Sequence, residues 1–155
     1  MPKSSPKHNL AINLSGVTTY QSGVVQSAAF RKLNRFTASF LKPYDLTTME
    51  WFLLGTVYDA GPEGISLTRL KDKLATTMPF ITTSVKTLLS KGALVKSQHS
   101  GDARTKIVVI SPSYRKICLE IEEYLRVKMR ELFYDHITPQ ELRTYVNVLY
   151  KISGL

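Results

Sequence analysis

From Val24 to Phe40 the apolar residues Val25, Ala29, Leu33, Phe36 and Phe40 recur every three or four positions, one face of an α-helix. Pro43 ends that pattern. Thr47-Thr48-Met49-Glu50 has the spacing of a capping box, in which hydroxyl and carboxylate each satisfy the other residue's amide. It predicts a second helix running to about Ala60, with Trp51, Leu54, Val57 and Tyr58 along it and Gly61-Pro62-Glu63-Gly64 as its stop. Ser66 can cap a short third helix ending near Leu74. After a turn, Thr77 is placed to cap a fourth, with Pro79 tolerated in the first turn, where amides have no helical acceptor. Ile81, Val85, Leu88 and Leu89 are the buried stripe of the fourth helix, and Lys91-Gly92 closes it.

Two short β-like runs follow, Leu94–Gln98 and Ile107–Ile110, joined by the polar stretch HSGDARTKI. Ser111-Pro112 then opens a long helix carrying Ile117, Ile121, Tyr124, Leu125, Met129, Leu132 and Phe133 to about Ile137. At 1.5 Å per residue it would span roughly 39 Å, more than one lobe of this size requires. Thr138-Pro139-Gln140-Glu141 is a second capping box, opening a last helix with Leu142, Tyr145, Val146, Leu149, Tyr150 and Ile152. Residues 1–8 read as a disordered tail, and residues 9–20 are ambiguous between helix and loop. The predicted fold class is mainly α with a small β-hairpin wing (α+β), and the middle section reads as a winged helix-turn-helix.

Charge sharpens this picture. The 155 residues carry 21 Lys and Arg against 12 Asp and Glu, a net +9, which favours a polyanionic partner, nucleic acid before membrane. Residues 1–46 hold six cations and one acid, 47–110 eight and five, and 111–155 seven and six. The excess therefore precedes the balanced last third. The single cysteine, Cys118, has no internal disulfide partner, and neither a membrane span nor a signal peptide pattern is visible, so the chain reads as cytoplasmic. His8, His99 and His136 lack metal-ligand spacing, and no phosphate-binding glycine loop, nucleophile elbow or paired catalytic carboxylates occur. The chain reads as a non-enzyme with no catalytic or metal residue and no cofactor.

In a helix-turn-helix the second helix enters the major groove. With Ile81, Val85 and Leu88 turned to the core, Thr77, Thr82, Thr83, Lys86 and Thr87 are the candidates for base edges and phosphates, while Ser66, Thr68 and Arg69 are placed to grip the backbone. The loop between the β-runs has two readings. One is a solvated turn with a local ion pair, worth little. The other is a wing in which Asp102 orients Arg104 toward a minor groove and Lys106 meets phosphate. The preceding helix-turn-helix and the positive charge favour the second.

From Leu46 to Ser111 the chain resembles the multiple-antibiotic-resistance-regulator (MarR) family of transcription factors. The matching stretches are LTTMEWFLL, LTRLKDKL, FITTSVKTLLSKGALV, the DART element and ISPS. Ala103 stands where the family's wing often carries a second arginine, and the fourth helix is rich in threonine rather than arginine. The resemblance implies a winged-helix DNA-binding lobe over 46–111 and a helical dimerisation lobe from 21–45 and 112–155, with 1–20 outside this single domain. It implies a homodimer on double-stranded DNA of pseudo-palindromic sequence, most often acting as a repressor. The long helix and the terminal helix are expected to pair with the partner's first helix and bury Phe36, Phe40, Leu132, Phe133, Tyr145, Leu149 and Tyr150; aromatics that only fill a monomer core are the competing reading. It also implies a small phenolic or lipophilic effector, for which Tyr20, Phe30, Trp51 and Tyr58 are the candidate lining; plain core aromatics are the competing reading. A protein-interaction module and an architectural DNA-binding protein of low specificity stay open as alternatives.

Overall fold

Thr48–Asp59 is the hub of the chain. Its Trp51, Leu53, Leu54 and Val57 are buried together with Thr48 and Glu50, so this helix is covered on most of its circumference. The computed structural model describes residues 16–98 and 106–155. In order, the elements are α1 (Thr19–Leu41), a 3₁₀ turn (Lys42–Tyr44), α2 (Thr48–Asp59), a 3₁₀ turn (Gly61–Glu63), β1 (Ile65–Ser66), α3 (Leu67–Lys73), α4 (Met78–Ser90), β2 (Leu94–Gln98), β3 (Lys106–Ile110), α5 (Pro112–Met129), a π turn (Arg130–Tyr134) and α6 (Pro139–Ser153). The chain divides after Phe36 into two units.

In the first unit, α1 begins five residues before the predicted start at Val24, and Val25 and Ala29 of the predicted stripe are exposed. In the second, both capping boxes form. The Thr47 hydroxyl accepts from the Glu50 amide at 3.1 Å while Glu50 Oε2 accepts from the Thr47 amide at 2.8 Å. Thr138 and Glu141 repeat the exchange at the start of α6, at 3.2 and 2.8 Å. The β-hairpin expected from the two β-runs is part of a three-stranded antiparallel sheet, ordered β1-β3-β2. The two-residue β1 sets Ile65 opposite Val108 and Ser66 opposite Ile107, and is too short to leave a periodic trace in the sequence. As the central strand, β3 is covered on both faces, which suits its unbroken Ile107-Val108-Val109-Ile110 run. Leu53, Leu54, Ile65, Leu70, Ile81, Leu88, Leu94, Val108 and Ile121 close into one core of α2, α3, α4, α5 and the sheet.

The predicted long helix is regular to Met129 and passes into the π turn, ending at Tyr134 rather than Ile137. Cys118, Ile121 and Leu125 are its buried residues. The Phe40 ring stacks on Tyr124 with centroids 4.6 Å apart, so this side chain, expected to face a partner, has a packing partner within its own chain. No residue of α6 is buried: Tyr145, Val146, Leu149 and Ile152 form an exposed apolar stripe. No described helix is long and apolar enough to cross a membrane.

Candidate nucleic-acid interface

The helix-turn-helix is α3, a tight turn and α4. Ser66, in extended conformation, caps α3 by accepting from the Arg69 amide at 3.3 Å. Ala75 makes the turn in the left-handed region (φ 47°), with its amide donating to the Asp72 carbonyl at 3.2 Å and the Thr76 amide to that of Lys71 at 3.1 Å. Thr77 occupies the cap position of α4, but its side chain accepts no capping bond. A cap hydroxyl takes the amide of the second or third helical residue, and here the second is Pro79, which has none.

From this start α4 buries Ile81, Ser84, Val85 and Leu88 and exposes Thr82, Thr83 and Lys86. The periodicity predicts this division at Ile81, Val85, Leu88, Thr82, Thr83 and Lys86, but Leu89, expected in the buried stripe, is half-buried, and Ser84 is buried in addition. Thr87 is half-buried and its hydroxyl donates to the Thr83 carbonyl at 3.1 Å, so its proton is already committed. Ser66 is likewise half-buried with its oxygen engaged in the α3 cap, whereas Thr68 and Arg69 are exposed. Lys106 is exposed at the foot of the wing. Its neighbour Lys96 was not among the sequence candidates. Lys96 is exposed and paired with Val108, two residues from Lys106 on β3, so both lysines stand on one face of the hairpin. The strand alternation in Leu94–Gln98 was the signal that could have found it. Asp102 and Arg104 lie outside the described residues, as do His8 and His99.

The far end of α4 is fastened to the rest of the lobe. Lys91, its C-cap residue, extends its ammonium to the Asp45 carbonyl and to the Glu50 carboxylate, 3.3 and 3.4 Å from its two oxygens. The Ser111 hydroxyl, buried at the head of α5, donates to the Gly92 carbonyl at 2.7 Å.

A cleft of about 720 Å³ opens beside the winged-helix core, lined among others by Trp51, Phe52, Leu125, Arg126, Arg130 and Tyr134. Of the aromatic candidates in this unit, Trp51 lines it and Tyr58 does not; Tyr58 instead lies under the Arg115 guanidinium, 5.1 Å from ring centre to Cζ. Tyr20 and Phe30 belong to the first unit and are 74% and 67% exposed. Burial, and then the neighbouring Tyr145, push the phenol of Tyr134, which also lines the cleft, above its ordinary pKa. Cys118 is 4% exposed, and burial pushes its thiol up to about 11 although Arg115 opposes the shift. Such a thiol is inert at neutral pH. Among the described residues no cluster of His, Cys, Asp or Glu could hold a metal ion.

A capped helix-turn-helix followed by an antiparallel hairpin defines a winged-helix fold, and long flanking helices extend it. Solved structures share this whole arrangement. A cysteine-to-serine variant of MarR from E. coli complexed with operator DNA matches with a TM-score of 0.73 at 20% identity, covering 88% of this chain and 99% of that one. AbsC, a MarR family transcriptional regulator from Streptomyces coelicolor, matches at 0.73 and 15% identity over 90% and 95% of the two chains. The transcriptional regulator BldR from Sulfolobus solfataricus matches at 0.70 and 24% identity over 87% and 99%. No family model matches the sequence. The chain therefore has the fold of the MarR regulators, as the motifs from Leu46 to Ser111 led one to expect.

Proposed function

We propose that the chain is a dimeric, sequence-specific DNA-binding regulator of the MarR kind, acting as a repressor. The observation that carries this reading is the two-sided character of α4. Its apolar stripe is buried, and Thr82, Thr83 and Lys86 stand together on the free face of a helix held at the position a winged helix uses for the major groove. Threonine reads base edges through its hydroxyl and thymine methyls through its own methyl, and Lys86 adds a guanine or phosphate contact. Thr77, Thr68 and Arg69 flank it toward the backbone, and Lys96 and Lys106 bring cations to the stalk of the wing. A protein of the same fold, the E. coli MarR variant, has been solved complexed with operator DNA, which supports DNA as the partner. The sequence reading that pairs Asp102 with Arg104 as a minor-groove wing is kept as part of this proposal.

The uncovered stripe on α6 supports a second copy as the partner of the helical lobe, because an amphipathic helix without burial is stable only when its apolar face is covered. Two-fold pairing sets two α4 helices on half-sites about one helical turn apart. The cleft beside Trp51 and Tyr134 supports control by a small lipophilic molecule.

Selection of bound fragments from a random DNA pool by the purified protein, at near-physiological salt, tests the reading. A two-fold symmetric motif is the expected result. Retention without a shared motif would replace it with an architectural role, and a folded protein that retains no DNA would point to an acidic protein partner. Arg104→Ala is expected to weaken binding most where the flanks are A·T-rich; operator binding equal to wild type would remove the wing from the account.

A further inference from the structure

The α4 surface needs more than the right side chains: its helix must meet the groove at one angle. The ammonium of Lys91 bears on that angle. It lies at the C-terminal end of α4, remote from Thr82 and Thr83, and its partners belong to the corner between α1 and α2. Asp45 holds the left-handed position of that corner (φ 53°) and offers its carbonyl, with its carboxylate 3.4 Å away. Glu50 offers a carboxylate whose side chain is 10% exposed and which also accepts the Thr47 amide. One cation thus joins the end of α4 to the cap of α2 and to the chain leaving α1. The first turn of α5 faces the same acids. The Tyr114 phenol is raised in pKa by burial first, then by Cys118, Glu50 and Asp45.

We infer that Lys91 is a positioning residue for DNA reading: its ammonium, held between the Asp45 carbonyl and the Glu50 carboxylate, ties the pose of α4 to the α1–α2 corner. The inference rests on the DNA-binding reading above. Lys91 touches no base; it fixes the separation at which two α4 helices are presented, and so the half-site spacing the dimer accepts.

The test separates this from plain stabilisation. Lys91→Met alone leaves a carboxylate without its cation and lowers stability whatever its role. Combining it with Glu50→Gln removes both charges and keeps an oxygen to accept the Thr47 amide. The double variant is expected to melt within about 3 °C of wild type. It is then compared with wild type on the selected motif and on versions with half-sites one base pair closer or farther. Wild type is expected to discriminate among the spacings, and the double variant to lose about tenfold of that discrimination. The salt slope of its binding should stay unchanged, since a lost phosphate contact would reduce it by about 0.9. Glu50→Gln alone loosens the same latch from the other side and should shift spacing preference in the same direction; a lower Tm with unchanged preference overturns the inference. Lys91→Arg is expected to restore wild-type discrimination. A motif bound with the same spacing preference by wild type and double variant overturns this inference alone. No motif for wild type overturns the DNA-binding reading and this inference with it.

Discussion

Replacing Gly64 with alanine is expected to cost far more than the same change three residues earlier. Gly64 sits at φ 70° and ψ −169°, a region essentially reserved for glycine, where another residue carries about 1–3 kcal/mol of strain. Space is the second term. A Cβ there would lie 2.6 Å from the Val108 carbonyl oxygen, 2.6 Å from Val109 Cγ1 and 2.8 Å from Ile107 Cγ2. The oxygen belongs to the central strand and cannot swing aside as a side chain could, so overpacking adds about 1–3 kcal/mol. Together about 2–6 kcal/mol is lost from a domain stability of order 5–15 kcal/mol. Gly61→Ala is the control: it has nearly the same φ, 68°, but nothing lies within 4 Å of its added Cβ, so strain alone acts, about 1 kcal/mol. Urea unfolding of both variants gives the difference directly. Equal losses would refute the close approach of Gly64 to β3, and with it the account of how β1 and the Ser66 cap are held to the wing.

Ala75→Gly should stabilise, because alanine at φ 47° costs about 1 kcal/mol while the extra freedom of glycine when unfolded returns about half of that; a rise of about 1–2 °C in Tm is expected, and a fall would show that the turn is unstrained. The Glu141 carboxyl is held below its ordinary pKa by the Thr138 amide and then the Thr138 hydroxyl, so the cap of α6 is intact above the usual carboxylate range and is lost as pH falls through the lowered value. Carboxyl NMR titration should show this, with Thr138→Val moving the titration part of the way back; an unmoved titration would remove the hydroxyl from the cap. Cys118 should be alkylated by iodoacetamide only as fast as urea opens the core, and rapid labelling of the native protein would contradict its burial.

Local rules carried far in this chain. Thr47 with Glu50 and Thr138 with Glu141 are read from three-residue spacings, because both partners of a capping box lie within one helical turn. The α4 stripe and the two β-runs were equally legible, because burial on one face imposes a period that needs no knowledge of what covers it. The features that needed the folded chain all join distant residues or compete with a local rule. The strand β1 exists only because β3 passes beside it, forty-odd residues later, with Gly64 permitting the approach. Lys91 reads from sequence as a cation suited to a helix C-terminus, yet its ammonium serves Glu50, separated by 41 positions. Thr77 stands where a cap should, but the proline two residues on withholds one of the amides it could take. The π turn at Arg130–Tyr134 has no mark in its residues. Sequence by itself therefore determined the order of the helices, the two capping boxes and the outward placing of Thr82, Thr83 and Lys86 on α4, since each depends on neighbours along the chain; tertiary structure alone decided the third strand and the latch on the far end of α4, since those energies arise only between segments that folding brings together.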